Sequence, residues 1–401
     1  MSNNHDAIVI GAGVAGVSIA FHLAERGLKP LILERRQVAF GATGASSGLV
    51  RMHYDLELES HLAWVSFQYF RNWRERVGGE CGFTRTGFLY IDSAEHAGKL
   101  RLNVEMHQRL GIPSLVISGA DVKRLAPSFH TEDVGIAAYE PESGYADATL
   151  TANSFLTAAR ERGAVYMQDC EVTGLQTAGG KAAGVRTTRG DFSAPVVVNA
   201  AGAWAARISE MAGVKIPLGT WTHDVAHLRR PAAVGEHPTV IDSSLNMYFR
   251  PDSGGLTLVA LEDDSRIGEA ADADLGYVAK DFVSRAVDRI CMRIPAMEHG
   301  SLHSSHVGRD SLTPDQRAII GPAGPQGFYL VTGFSGTGFK LSPAVGRCVA
   351  ELILDGKSST VDISGFDPTR FERGEHLKGE HDYGVIWRNL GEESGKNGQA
   401  A

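Results

Sequence analysis

The sequence predicts an α/β fold in which a parallel-sheet unit is interrupted twice by a β-rich unit of α+β character. Three observations carry this. A strand, a glycine turn and a helix open the chain near residues 7–26, the pattern recurs at 196–211 and 328–354, and residues 216–260 between them are mainly β in character. With 401 residues, 43% hydrophobic and 21% charged, the chain has the composition of a folded globular protein. At roughly 150 residues per domain it accommodates two or three folding units. A formal charge of −8 provides no overall basic field for nucleic acid or anionic lipid. Cys81, Cys170, Cys291 and Cys348 have no CxxC spacing, so no metal site or disulfide framework is expected and a reducing cytoplasm is the expected compartment. The apolar stretch at residues 7–24 follows Asp6, lacks a basic leader and contains three glycines, which argues against a signal or membrane segment.

The apolar run Ala7–Ile10 leads into Gly11-Ala12-Gly13-Val14-Ala15-Gly16 and a helix over residues 17–26, closed by Gly27. A second strand, Pro30–Leu33, delivers Glu34 eighteen positions after Gly16. This is a Rossmann-like arrangement in which each part has a physical task. Gly11 permits the tight turn, Gly13 admits a pyrophosphate, Gly16 allows close helix–strand packing, and Glu34 accepts bonds from ribose hydroxyls. These residues predict a dinucleotide and do not separate FAD from NAD.

The small-residue loop at 41–48 lets backbone approach a ligand. Leu58, Leu62, Val65, Tyr69, Trp73 and Val77 recur at helical steps, predicting an amphipathic helix over 57–77 whose apolar face is core. Strand character follows at 83–91 around Gly87, then a helix at 94–110, a strand at 135–139 and a helix at 147–162 stopped by Gly163. A hairpin is expected around Arg189-Gly190-Asp191, read as turn chemistry. Residues 281–293 are expected to be helical, and the glycine-rich string at 333–340 enters a last helix running to Leu354.

Residues 11–34, 46–54, 196–204 and 313–341 together resemble the D-amino acid oxidase superfamily of FAD enzymes, within its sarcosine oxidase, dimethylglycine dehydrogenase and glycine oxidase branch. The string GFSGTGFKLSPAVG at 333–346 is the most specific part and looks like the loop and helix start that approach the flavin ring in sarcosine oxidases. The resemblance implies a Rossmann-like FAD-binding domain at 1–82, 145–215 and 308–390, a discontinuous β-rich substrate-binding domain at 83–144 and 216–307, and a flexible tail at 391–401. It implies FAD contacts from Gly11, Gly13, Gly16, Glu34 and Arg35, and from Thr43, Ser46, Ser47 and Gly48. Further contacts are expected from Val172, from Ala201, Gly202 and Trp204, and from Gly333, Gly336, Thr337, Gly338 and Lys340.

By the same resemblance, Arg51 and Lys340 match the pair that clamps a substrate carboxylate, Tyr248 matches a pocket tyrosine, and His53 is a further catalytic candidate. Arg supplies a bidentate fork and Lys a point charge. A helix start near Lys340 would turn its positive end toward charge developing on a reduced flavin. Plainer roles stand beside these: Arg51 pairing with Asp55 or neutralising the pyrophosphate, Lys340 solvated, Tyr248 in a core, Arg250 as a second carboxylate partner, and His223 and His227 structural.

The implied activity is oxidation of the C–N bond of a small amino acid, N-methylated, secondary or cyclic, by hydride transfer to FAD, with O2 or another acceptor taking the electrons and the imine hydrolysing. The alternatives are 2-hydroxy acid oxidation, with His53 or His227 as base, and service as the flavin subunit of a hetero-oligomeric dehydrogenase. Self-association is left open. Thr257 stands where sarcosine oxidase carries its oxygen-activating lysine, so dehydrogenase behaviour is a live option. No Cys occurs at 308–311 and no His at 42–48, where relatives attach flavin covalently, so noncovalent FAD is expected. Acid precipitation should leave the flavin in the supernatant; flavin retained on a peptide would contradict this.

Overall fold

Short, continuously apolar strands such as Ala7–Ile10 and Pro30–Leu33 bury both faces of a mostly parallel sheet. The computed structural model describes residues 3–263 and 265–383, so the tail expected at 391–401 lies outside the described residues. Six strands lie in the spatial order Ile319–Pro322, Phe328–Thr332, Val197–Asn199, Ala7–Ile10, Pro30–Leu33 and Val165–Met167. Only the pairing of Ile319–Pro322 with its neighbour is antiparallel. Val9, Ile32 and Val198 face a core shared with helices Val14–Glu25, Glu57–Arg71, Ala148–Glu161 and Gly338–Asp355. Ile8, Leu31 and Val197 face the other way, under the antiparallel strands Val172–Ala178, Lys181–Thr187 and Gly190–Ser193.

Several expectations shift by a turn, for local reasons. The first helix begins at Val14, directly on Gly13, and not at residue 17. The helix expected over 57–77 divides into Glu57–Arg71 and Trp73–Arg76. At the break Asn72 turns its side-chain amide back onto the Gln68 carbonyl, 3.1 Å away, competing with the backbone ladder. Its apolar face is inward as expected, with Leu62, Tyr69, Trp73 and Val77 buried. The short helix Gly119–Leu125 escapes the apolar periodicity and starts from a reciprocal cap between Ser118 and Asp121.

A nine-stranded sheet forms the second layer system. Phe88–Asp92 pairs with Ile136–Glu140 on one side and, in parallel, with Thr239–Asp242 on the other, so both interruptions of the chain contribute to one sheet. Met247–Asp252, Leu256–Leu261 and Gly219–Arg229 continue it, and Ser301–Leu312 pairs along Gly219–Arg229. One face carries Leu89, Val240, Met247, Phe249 and Val259 against Phe282, Ala286 and Ile290 of helix Phe282–Arg293. On the opposite face Tyr90, Ile241, Tyr248, Ala260 and Val225 stand in one cross-strand row.

Buried arginines tie the layers together, each with carboxylate partners as burial demands. Arg293 meets Asp242 at 2.7 Å and Asp133 at 2.8 Å, while Arg317 meets Asp55 at 2.9 Å and also Glu59. Arg370 holds Asp315 at 2.9 Å.

Gly16 is the tightest point of the opening turn: a Cβ there would lie 2.0 Å from the Gly11 carbonyl oxygen. Gly16→Ala is therefore expected to cost about 1–3 kcal/mol through forced separation of helix and strand. Urea unfolding should show it, together with lower flavin occupancy in the purified protein.

Candidate active site

Parallel strands leave their carboxyl ends on one edge, and the chain turns there. Gly11 follows Ala7–Ile10, Glu34 follows Pro30–Leu33, Ala200 follows Val197–Asn199 and Gly333 follows Phe328–Thr332. Three strand spacings put about 14 Å between the Glu34 and Gly333 ends. One cleft runs along this edge and reaches the Tyr248 row of the second sheet.

At one end Glu34 accepts from the Ala12 N–H at 2.9 Å and the Arg36 N–H at 2.8 Å, leaving carboxylate lone pairs for hydroxyl donors. Arg35 lies over the Trp204 ring at 4.4 Å, and both bond Asp272, at 2.8 and 2.7 Å. In the middle, Gly13, Val14 and Ala15 present the start of the first helix, and Thr43 Oγ1 accepts from the Val14 N–H at 3.0 Å. At the far end the helix Gly338–Asp355 starts at the cleft wall through Thr337, Gly338 and Lys340. An acid beyond the second strand, a helix start at mid-cleft and a second helix start beyond it fit ribose, pyrophosphate and an electron-rich ring in that order.

The glycine string at 333–340 is held from the second unit. Asp310 Oδ2 accepts from the Gly336 N–H at 2.7 Å, and Ser311 meets the string at the Gly333 N–H (3.2 Å) and the Ser335 N–H (3.0 Å). The Gly336 carbonyl accepts from Lys340 Nζ at 3.1 Å. Lys340 is buried, and burial together with nearby Arg51 holds its ammonium well below the ordinary lysine range. Arg51 covers the Tyr54 ring at 4.2 Å and donates to the His53 carbonyl. Neither cation makes an ion pair among the described residues, and Asp55, the plainer partner for Arg51, is taken by Arg317. Tyr248 also lines the cleft, its hydroxyl pushed up to about 12 by burial.

Most of the expected contacts reach the cleft: Gly11, Gly13, Glu34, Arg35, Thr43, Ser46 and Ser47 on one side. Val172, Ala201, Gly202, Trp204, Gly336, Thr337, Gly338 and Lys340 complete the set. Gly16, Gly48 and Gly333 do not line it. They make its turns possible: a Cβ would meet the Gly11 oxygen at 2.0 Å, the Ala146 oxygen at 2.2 Å and the Thr313 methyl at 2.4 Å respectively.

His53 requires a correction. It stands behind the cleft wall, stacked on Tyr90 at 4.7 Å and bonded through Nε2 to the Tyr383 hydroxyl at 2.8 Å, and burial holds it well below its ordinary value. His227 pairs with Asp252 at 3.4 Å, Arg250 is spent on Asp252 (3.2 Å) and the Ser47 carbonyl, and neither lines the cleft. Thr257 is also remote, bonded to His237 at 2.9 Å. His223 does line it, against Trp221 at 4.0 Å, with burial pushing it down to about 4.

Sequence reasoning missed Asp310, Trp221 and Glu262. Glu262 lies just past Leu256–Leu261 and lines the cleft; burial pushes its carboxyl up to about 7. A charge after a strand ordinarily marks a solvated turn. The available signal was period two: Ala260 pairs with Tyr248, so residue 262 falls on the Tyr248 face.

The profile of the DAO family, described as FAD dependent oxidoreductase, matches residues 6–352. Human mitochondrial sarcosine dehydrogenase is 29% identical over 380 residues, covering 91% of this chain and 41% of that protein, so the chain spans under half the length of this relative. The crystal structure of L-proline dehydrogenase from P. horikoshii superposes with a TM-score of 0.88 at 28% identity, covering 94% of this chain and 100% of that one. Glycine oxidase from Geobacillus kaustophilus gives a TM-score of 0.81 at 25% identity, covering 94% and 100%.

Asp310→Ala is expected to leave the Gly336 and Ser311 N–H groups without their acceptor, at about 1–3 kcal/mol. Lower stability in urea should accompany weaker binding of a simple carboxylate such as propionate, because the string carrying Lys340 loses its anchor.

Proposed function

The chain belongs to the FAD dependent oxidoreductase family, and from that premise we propose that it oxidises the C–N bond of a small amino acid, secondary or cyclic, with noncovalently held FAD. The observation carrying this reading is the pair of cations, Arg51 and Lys340, that share the cleft without a carboxylate of their own. A buried positive charge without an anionic partner is costly, so the pair favours a ligand that brings one. When bound, FAD supplies the acceptor for a hydride from the substrate carbon.

The protein's own contribution is orientation and exclusion of water. Arg51 supplies a planar fork and Lys340 a point charge, and a carboxylate between them has its neighbouring carbon directed along the cleft. Lys340 is held in place by the Gly336 carbonyl, so little side-chain freedom is lost on binding. Ile241, Val225 and Tyr248 provide a largely apolar wall, which favours the neutral amine over the ammonium. The names of the relatives support this substrate class, since sarcosine and proline are secondary amines. For oxidation of a 2-hydroxy acid, the two bases considered in the sequence, His53 and His227, are outside the cleft.

Anaerobic mixing with sarcosine, L-proline and D-amino acids should bleach the oxidised flavin band with at least one of them; no bleaching with any would refute the proposal. Arg51→Met and Lys340→Met should each weaken propionate binding about 10- to 100-fold, the scale of a hydrogen bond to a charged group. The sign of the pH effect follows from the lowered Lys340 value. Free Lys340 loses its proton early as pH rises, and an anion favours the charged form. Propionate should therefore bind more weakly at higher pH, with proton uptake that calorimetry in two buffers detects and Lys340→Met reduces.

A further inference from the structure

We propose that Glu262 is the ammonium subsite of this cleft: its carboxylate holds the amino group of the substrate and takes one proton from it. This rests on the amino-acid reading above and extends it to the nitrogen. Three features of placement carry it.

First, Glu262 lines the same cleft as Arg51, Lys340 and Tyr248, continuing the face on which Tyr248 pairs with Ala260. Secondly, its carboxylate makes no hydrogen bond or ion pair among the described residues, although its backbone N–H is anchored on the Asn246 carbonyl at 2.8 Å. Neighbouring carboxylates are already committed: Asp242 to Arg293 at 2.7 Å and Asp263 to Arg289 at 3.1 Å. Thirdly, the cleft holds opposite charges: Arg51 and Lys340 suit the carboxylate of an amino acid, and Glu262 suits its cation. A hydroxy acid offers Glu262 a neutral hydroxyl donor, without the charge that an ammonium brings.

The groups acting on Glu262 are Arg51, which favours its charged form, and Asp242 and Asp263, which oppose it; Tyr248 and Tyr90 stand within its influence. Burial is the largest effect, and the balance brings the carboxyl to about 7. The step is a single proton transfer. The ammonium N–H bond breaks and a carboxyl O–H bond forms on Glu262; the electron pair left on nitrogen would then assist transfer of the hydride from carbon to the bound FAD, which is the two-electron acceptor. The proton transfer itself needs no further reactant, and the proton leaves to water after turnover.

The test uses the FAD-loaded full chain and Glu262→Gln, with sarcosine and L-proline as probes under anaerobic conditions. In the wild type the rate of flavin bleaching should rise through pH about 7 as Glu262 ionises. Glu262→Gln should lose that limb and follow deprotonation of the free amine, about pH 10 for an alkylammonium, so that bleaching at pH 8 falls about 100-fold. Propionate, which has no amine, should bind the variant at least as tightly. Glu262→Asp keeps a carboxylate and should retain the limb at reduced rate, which decides the matter if the glutamine variant does not hold flavin. Independently of turnover, an infrared band of a protonated carboxyl should titrate near neutrality in the wild type and be missing from Glu262→Gln. Bleaching by amines with an unchanged pH profile in Glu262→Gln overturns the subsite alone; a wild type unbleached by any amine overturns the amino-acid reading and the subsite with it.

Discussion

The parallel pairing of Ala7–Ile10 between Pro30–Leu33 and Val197–Asn199 is the constraint from which the site follows. It brings together strands nearly two hundred residues apart in the chain, and parallel pairing puts all their carboxyl ends on one edge. Turns there are crowded: the ideal Cβ position on Gly11 lies 2.6 Å from the Ala200 carbonyl oxygen. Glycine at Gly11 and Gly16 is therefore a packing requirement, and the same compactness brings the first helix start to the cleft. The cleft and the sheet core are one structure viewed from two sides.

The second unit completes what the first cannot. Ser301–Leu312 runs along Gly219–Arg229 and ends by presenting Asp310 and Ser311 to the glycine string before the last helix. Asp310 orders Gly336, Gly336 receives Lys340, and a lysine that would ordinarily reach for water is kept inside. The strands of Tyr248 and its neighbours contribute an apolar wall that ends in Glu262. The resulting cleft is charged at defined points beside apolar walls, which raises the value of each electrostatic contact and the cost of leaving any of them unmatched.

Motifs that depend on local chain geometry were legible in the residues. Strand, glycine turn, helix and terminal acid at 7–34 can be read in order because each element constrains the next within a few residues. Element ends were less legible. Asn72 breaks a helix by bonding one turn back, and Ser118 starts one by a cap, and neither affects apolar periodicity. His53, Arg250 and His227 appeared chemically eligible because residue type reveals eligibility alone. Their partners Tyr383, Asp252 and the Ser47 carbonyl are chosen by packing.

Sequence alone determined the α/β class and the glycine turn with an acid beyond its second strand, because spacing and side-chain chemistry are properties of the chain itself; Arg51 and Lys340 stood out only through the resemblance to the sarcosine oxidase branch. Tertiary structure decided which polar groups meet. It withdrew His53 behind a wall of tyrosines, buried Lys340, and turned Glu262 from an apparent surface charge into a cleft residue. The physical reason is that solvation and neighbouring charge set the state of an ionisable group, and both arise only when distant segments pack.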